Sequence, residues 1–205
     1  MTIYLVRHGE TEWNRAGRMQ GHLDSPLTAR GEAQARAVGE ALRELIDGDG
    51  FDIVASPLGR TRATAAIICD ALGNEAISIA TDDRLREISW GDWDGLTFDE
   101  IEARDPGELA RRRHDRWDHR PPGGESYAAT ARRAADWLAG LDSLAGANLA
   151  RPLIAVSHGG IGRLLRGLYA GLPRDQTLAL EQPQDAFHLL RDGQIGRIDA
   201  DFDDR

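Results

Sequence analysis

Cysteine is almost missing. Cys69 is the only one in 205 residues, so no intrachain disulfide can form and an oxidising compartment finds no support. Long apolar runs are missing too: none approaches the ~20 residues needed to cross a bilayer. The opening Met1-Thr2-Ile3-Tyr4-Leu5-Val6-Arg7-His8 has no basic leader before a long apolar stretch and does not read as a signal peptide. A cytoplasmic location without membrane contact is the expectation. Positive charge is also in short supply. The 25 Lys and Arg stand against 34 Asp and Glu, a net charge of −9, which disfavours nucleic acid and anionic membranes as partners. An acidic chain that handles an anion must therefore gather its cations locally. His22, His114, His119 and His188 have no metal-ligand spacing with a carboxylate or cysteine, so no metal site is expected. No internal repeat or low-complexity linker interrupts the chain.

What is present is ordinary for a folded chain, with 41% hydrophobic and 29% charged residues. The length fits one α/β domain over residues 1–205. Thr2 to Val6 is short, apolar and β-branched and reads as a buried strand ending in Arg7-His8-Gly9. Helical spacing of Ala33, Ala37, Val38, Ala41, Leu42 and Leu45 predicts a helix with Thr28 as N-cap and Gly48 and Gly50 beyond its end. Phe51–Ala55 predicts a second strand, followed after Ser56-Pro57 by a helix carrying Ala63, Ala66, Ile67 and Leu72. A third strand is expected at Ile77–Ala80. Residues 98–118 and 126–144 read as helices separated by Pro121-Pro122-Gly123-Gly124. Leu153–Val156 is another strand, broken by Ser157-His158-Gly159-Gly160 before a helix from Ile161 to about Tyr169. Ala186–Leu190 and Gln194–Ile198 form a hairpin around Asp192-Gly193, and the acidic stretch 199–203 is expected to be a solvated end. Alternating strands and helices imply a three-layer α/β sandwich with a mostly parallel central sheet flanked by helices. In such sheets ligands bind beyond the C-terminal strand ends, where His8, Ser56 to Arg60 and His158 all fall.

Arg7-His8-Gly9 joins a fixed cation to an imidazole. Neutral imidazole attacks phosphorus, arginine offers phosphate a planar fork of donors, and glycine permits close backbone approach. Alone the tripeptide carries little, since a strand-end histidine is more often a structural hydrogen-bonding residue. The longer string Leu5-Val6-Arg7-His8-Gly9-Glu10-Thr11-Glu12-Trp13-Asn14 closely resembles the signature of the histidine phosphatase superfamily, the phosphoglycerate mutase-like proteins. Four further segments resemble that family in order: Gln20 to Thr28; Ser56-Pro57-Leu58-Gly59-Arg60-Thr61; Leu85-Arg86-Glu87 with Gly91-Asp92-Trp93-Asp94-Gly95; and Ser157-His158-Gly159-Gly160.

The resemblance implies that His8 is the nucleophile that becomes phosphorylated, with Arg7, Arg60 and His158 around the transferred group. Phosphoryl transfer asks mainly for in-line positioning and charge stabilisation, and these groups supply both without metal or organic cofactor. Asn14 would add a neutral donor, and a helix beginning near Gly159 could aim free N–H groups at the anion. Glu87 is the expected general acid and base, with Glu10 and Glu12 as rivals. Gln20, Leu23, Ser25, Trp90 and Trp93 are candidates for the entrance, the tryptophans equally for the core. The family often carries a helical lid insertion, here about 96–125. It holds Arg111, Arg112, Arg113, His119 and Arg120, which are either a solvated face or a grip on a second anionic group. Cys69, beside Ile67 and Ile68, reads as packing.

Three functions stay open: a phosphomonoester hydrolase acting on a small phosphorylated metabolite, a cofactor-dependent phosphoglycerate mutase, and a non-catalytic phosphate-binding regulatory member. Mutases of this family are usually longer and carry a tyrosine soon after the glutamate, where this chain has Ile88-Ser89-Trp90-Gly91. Pro122-Gly123-Gly124-Glu125-Ser126 resembles the short phosphatase branch, so the hydrolase is favoured. A homodimer is left open, with exposed tryptophans as its mark.

Overall fold

Ile3–Arg7 forms β1, and its side chains alternate between two cores because successive residues of a strand point to opposite faces. Ile3 and Leu5 join one apolar cluster, Tyr4 and Val6 the other. The strand is thus covered on both sides, which is why it reads as an unbroken apolar run. The computed structural model describes residues 1–46, 50–74, 77–148 and 151–202, with the side chains of 142–148 excepted; Gly48 and Asp203 lie outside that set.

Six strands make one sheet in the order β3-β2-β4-β1-β5-β6, where β2 is Asp52–Ala55, β3 Ala80–Thr81, β4 Leu153–Ser157, β5 Ala186–Arg191 and β6 Gln194–Asp199. The first four in that order run parallel; β5 is antiparallel to β1, and β6 to β5. In the central pair Arg7 stands opposite Ser157, so the residues that follow each strand emerge side by side.

The helices are α1 (Glu12–Arg15), α2 (Ala29–Leu45), α3 (Gly59–Ala71), α4 (Phe98–Arg104), α5 (Glu108–His114), α6 (Tyr127–Asn148), α7 (Gly159–Tyr169) and α8 (Arg174–Ala179). Val38 and Leu42 of α2 and Ile68 and Cys69 of α3 pack on the Tyr4/Val6 face. Trp137 of α6 and Ile161, Leu164 and Leu165 of α7 pack on the Ile3/Leu5 face. The result is the expected sandwich, and buried Cys69 is a core residue. Gly9 lies where β1 passes over the start of α2. A Cβ there would sit 2.1 Å from the Gly31 carbonyl oxygen, so only glycine allows the crossing.

Several boundaries differ from expectation. Thr28 caps α2 by accepting from the Gly31 N–H, as anticipated, and α7 begins at Gly159 with His158 as N-cap. The third strand forms at Ala80–Thr81 rather than Ile77–Ala80, because β2 offers β3 partners only at Val54 and Ala55; Ile77 and Ile79 pack against the core instead. The helix expected over 98–118 is split into α4 and α5 by Asp105-Pro106-Gly107. Pro106 has no N–H to donate, and Gly107 takes a φ of 83°. The hairpin extends one residue further on each strand, with both Asp192 (φ 52°) and Gly193 (φ 74°) left-handed, as a two-residue primed turn requires. The end is less solvated than expected, since Ala200 is buried and Phe202 packs beneath Arg30.

Candidate active site

His8 follows β1 and His158 follows β4, and adjacency of those strands puts their rings 5.2 Å apart, nearly edge to face. Both are almost wholly buried, at 3% and 1% exposure. His8 Nδ1 lies 2.8 Å from the Gly9 carbonyl oxygen. A carbonyl can only accept, so Nδ1 carries the proton and Nε2 keeps its lone pair. Arg60 Nε donates to that Nε2 at 3.3 Å. Burial, then the nearby Arg60 and Arg7 cations, push the His8 pKa well below the usual histidine value, which keeps the ring neutral at pH 7. His158 is shifted the same way, by burial first and Arg60 next. Its Nε2 is 2.8 Å from Ser56 Oγ, and its buried Nδ1 has no partner.

Arg60, on the first turn of α3, is fixed from all sides. It donates to the carbonyls of Leu23 and Gly21, both at 2.8 Å, and to Asp24 Oδ1 at 2.7 Å. Asp24 also accepts from the Gly59 N–H at 2.6 Å. It thereby supplies the α3 N-terminus with the acidic cap that Leu58 cannot provide. Arg7 donates to the Gln182 carbonyl, while its Nε is buried without a partner. Burial lowers the Arg7 pKa to about 10, opposed by the Glu87 carboxylate and reinforced by Arg163 and Arg60; it remains a cation at neutral pH.

Glu87 meets the N-terminus of α7. Its carboxylate accepts from the N–H groups of Gly160 (2.9 Å), Ile161 (3.0 Å) and its neighbour Ile88 (2.9 Å). The expectation that α7 would aim free N–H groups at a bound anion is corrected for these two amides of its first turn, because the carboxylate already takes them. A Cβ at Gly160 would come within 2.6 Å of Glu87 Oε1, so the glycine is what lets the carboxylate approach. Arg133 of α6 fixes the preceding backbone, donating to the carbonyls of Arg84 (2.9 Å), Arg86 (2.7 Å) and Glu87 (3.3 Å). Glu125 braces Arg133 at 2.8 Å and accepts from the Ser89 N–H.

Arg7, His8, Arg60, Glu87 and Gly160 line one cleft of about 240 Å³, joined by Asn14, Gln20, Trp90, Arg112, Arg116 and Arg163. His158 lies just behind, flanking a smaller cavity with Arg7 and Gly159. The amide oxygen of Asn14 is engaged by Gln184 at 3.1 Å. Gln20 is tied to Thr11 and Ser25 at both ends of its amide. The rival carboxylates face elsewhere, Glu10 toward Thr28 and Arg30 and Glu12 toward Arg15. Trp93 is fully buried, and Leu23 contributes only its carbonyl to Arg60. Of the basic run only Arg112 reaches the cleft. Arg111 pairs with Glu108, Arg113 is exposed, His119 pairs with Glu108 and stacks on Trp93, and Arg120 bonds the Gly124 carbonyl. No tryptophan is classed as exposed. Among the described residues no group of three His, Cys, Asp or Glu could hold a metal ion, and no helix is long and apolar enough to cross a membrane.

Arg163, Arg116, Arg133, Glu125 and Gln182 were not singled out by the sequence as site residues. Arg163 lies on α7 and Arg116 in the turn after α5, and which of them faces inward cannot be assigned before the sheet order is known. Glu125 stands within a recognisable segment but shows its role only through Arg133.

The chain matches the histidine phosphatase superfamily (branch 1) over residues 3–193. Among curated proteins it is 39% identical over 199 residues to the probable phosphoglycerate mutase GpmB of Salmonella paratyphi C, covering 97% of this chain and 85% of the relative. Similar solved structures include the mycobacterial glucosyl-3-phosphoglycerate phosphatase bound to VO3, with TM-score 0.78, 32% identity, and coverage of 92% of this chain and 90% of that one. The alpha-ribazole phosphatase of Shigella flexneri has TM-score 0.81 and 26% identity, with 98% and 96% covered.

Proposed function

From a chain that belongs to the histidine phosphatase superfamily (branch 1), we infer a phosphomonoester hydrolase that needs no metal or organic cofactor and works through a phosphohistidine on His8. The observation that carries this reading is the His8 tautomer. With the Nδ1 proton held by the Gly9 carbonyl, Nε2 is left unprotonated at a cleft lined by Arg7 and Arg60, its lone pair engaged only by the long 3.3 Å contact from Arg60 Nε, which an incoming phosphate replaces. We take the substrate to be a small phosphorylated metabolite whose phosphate end enters the cleft of about 240 Å³.

The phosphate sits between Arg7 and Arg60, whose cations offset its charge. His158 donates from Nδ1 when the Ser56 hydroxyl donates to its Nε2, which gives the orphaned Nδ1 a partner. His8 Nε2 attacks phosphorus in line, the ester P–O bond breaks, and Glu87, protonated at the start of each turnover, gives its proton to the leaving oxygen. Water then attacks the phosphohistidine, giving its proton to Glu87. The N–P bond breaks with its electron pair returning to Nε2, and inorganic phosphate departs.

A second reading is favoured by the relatives named as phosphoglycerate mutases. In it the phosphohistidine returns its phosphoryl group to a sugar acid instead of water. The test is release of p-nitrophenol from p-nitrophenyl phosphate, with and without chelator, by the wild type and His8→Ala. The hydrolase reading expects chelator-resistant release that falls by three or so orders of magnitude in the variant. Normal turnover by His8→Ala would end it. Absent release with transfer between phosphoglycerates would establish the mutase, and phosphate binding without either would mark a non-catalytic member.

A further inference from the structure

The geometry points to a second anion-binding subsite in the same cleft, formed by Arg112, Arg116 and Arg163, that receives a carboxylate or second phosphate on the part of the substrate that is not transferred. This deepens the hydrolase reading and rests on it for the place of the transferred phosphate.

All three arginines line the cleft that holds His8, yet none has a carboxylate within ion-pair distance among the described residues. Arg163, on α7, is 8% exposed; one Nη donates to the Leu178 carbonyl at 2.8 Å, and its Nε is buried without a partner. Arg116 likewise has an orphaned Nε and leans over the Tyr127 ring at 5.7 Å. Arg112 makes no hydrogen bond among the described residues and lies over the Trp90 ring, 4.8 Å from its centroid, a contact that leaves its donors free. By contrast Arg18, also at the cleft, is spent on Glu100 and the Gly95 carbonyl.

These cations work against one another. Burial lowers the Arg112 pKa first, and Arg116 and Arg163 lower it further, with Tyr127 opposing. Burial likewise lowers that of Arg163, aided by Arg116 and opposed by Tyr127 and Glu87. Like charges with buried, unpaired donors raise the free energy of the empty site. A chain of net charge −9 has ample carboxylate to neutralise them, yet leaves them unpaired. An anion with planar oxygens relieves both the repulsion and the missing hydrogen bonds. Arg163, Arg112 and Arg116 line the same cleft as Arg7 and Arg60, so the two anion sites adjoin and one small molecule can span them.

The test is calorimetric binding of three phosphonates, whose P–C bond is not an ester: propylphosphonate, 4-phosphonobutyrate and propane-1,3-diphosphonate. The wild type is expected to bind at least one of the two-anion probes about tenfold tighter or more than propylphosphonate, roughly 1.4 kcal/mol. The tighter of the two identifies the second anion as carboxylate or phosphate. In Arg112→Gln that ratio should fall toward one, and Arg112→Lys should restore part of it. A wild type without the preference, or a preference unchanged in Arg112→Gln, overturns the subsite. A clear preference without His8-dependent turnover would overturn the hydrolase reading while leaving the subsite standing.

Discussion

His8 is prepared by its neighbours rather than by its own chemistry: one carbonyl fixes the proton on Nδ1, and burial, with the Arg60 and Arg7 guanidiniums second, keeps the ring from charging. Glu87 is prepared in a similar manner, aimed by three amide N–H groups. Glu87→Gln keeps the shape but cannot carry a proton between leaving group and water. We expect kcat to fall about 10²–10⁴-fold while KM stays within a few-fold in steady-state assays. A change confined to KM would move the acid role elsewhere. At this scale the sequence was informative wherever chemistry follows a strand end. Arg7, His8, Arg60 and Glu87 meet in one cleft with His158 behind them. It was uninformative for Arg163 and Arg133, whose importance comes from what lies across the fold. Asn14 and Gln20 reach the cleft, but their amides are partly or wholly occupied by Gln184, Thr11 and Ser25.

The start of α7 shows how one element can serve two ends. It binds the Glu87 carboxylate through its first-turn amides, and it buries Ile161, Leu164 and Leu165 in the core. Gly160→Ala places a methyl within 2.6 Å of Glu87 Oε1. The methyl would also come 2.9 Å from the Ile88 Cδ1, and because both atoms end side chains, the clash is relieved by moving the carboxylate and the end of Ile88, not the backbone. We therefore expect kcat to drop tenfold or more while unfolding stability changes by about 1–2 kcal/mol at most, read from urea midpoints. Equal activity with lost stability would show that the helix, not Glu87, had given way. Helices with a regular apolar face, such as α2, were legible in the sequence with their caps. The split of α4 from α5 was not, because residues on both sides of Pro106 have helical character and only the observed break shows that the proline ends the turn. The edge strand β3 was misplaced because the apolar Ile77 and Ile79 just before it pack against the core while its ladder is set by the short partner β2.

At the scale of the whole molecule the burial of histidine sets a pH limit. His8 and His158 are shifted well below the usual 6.5, and His188 to about 4, by burial first and by neighbouring arginines second. On acidification the unfolded chain takes up these protons near pH 6.5, before the folded chain does. Their stabilising effect is thus complete above about pH 6.5 and lost below it, by at most ~1.4 kcal/mol per pH unit for each histidine. Urea midpoints measured at pH 7.5 and 5.5 should fall toward acid; a flat or rising midpoint would refute the assignment. Every one of the 25 cationic side chains is arginine, for the chain has no lysine, so its anion sites are all built from planar forks. The layer architecture was legible from alternating strands and helices, but the strand order was not, since short apolar strands carry no label for their partners. That order has a consequence for synthesis. β1 and β2 are not neighbours; β4 lies between them and leaves the ribosome long after both. A nascent chain ending before Leu153 has β1 and β2 without the strand that joins them, and His8 without His158 beside it. The last quarter of the chain, from Leu153 on, brings β4 and His158 together, so on the proposed mechanism partial products of translation are also chemically silent.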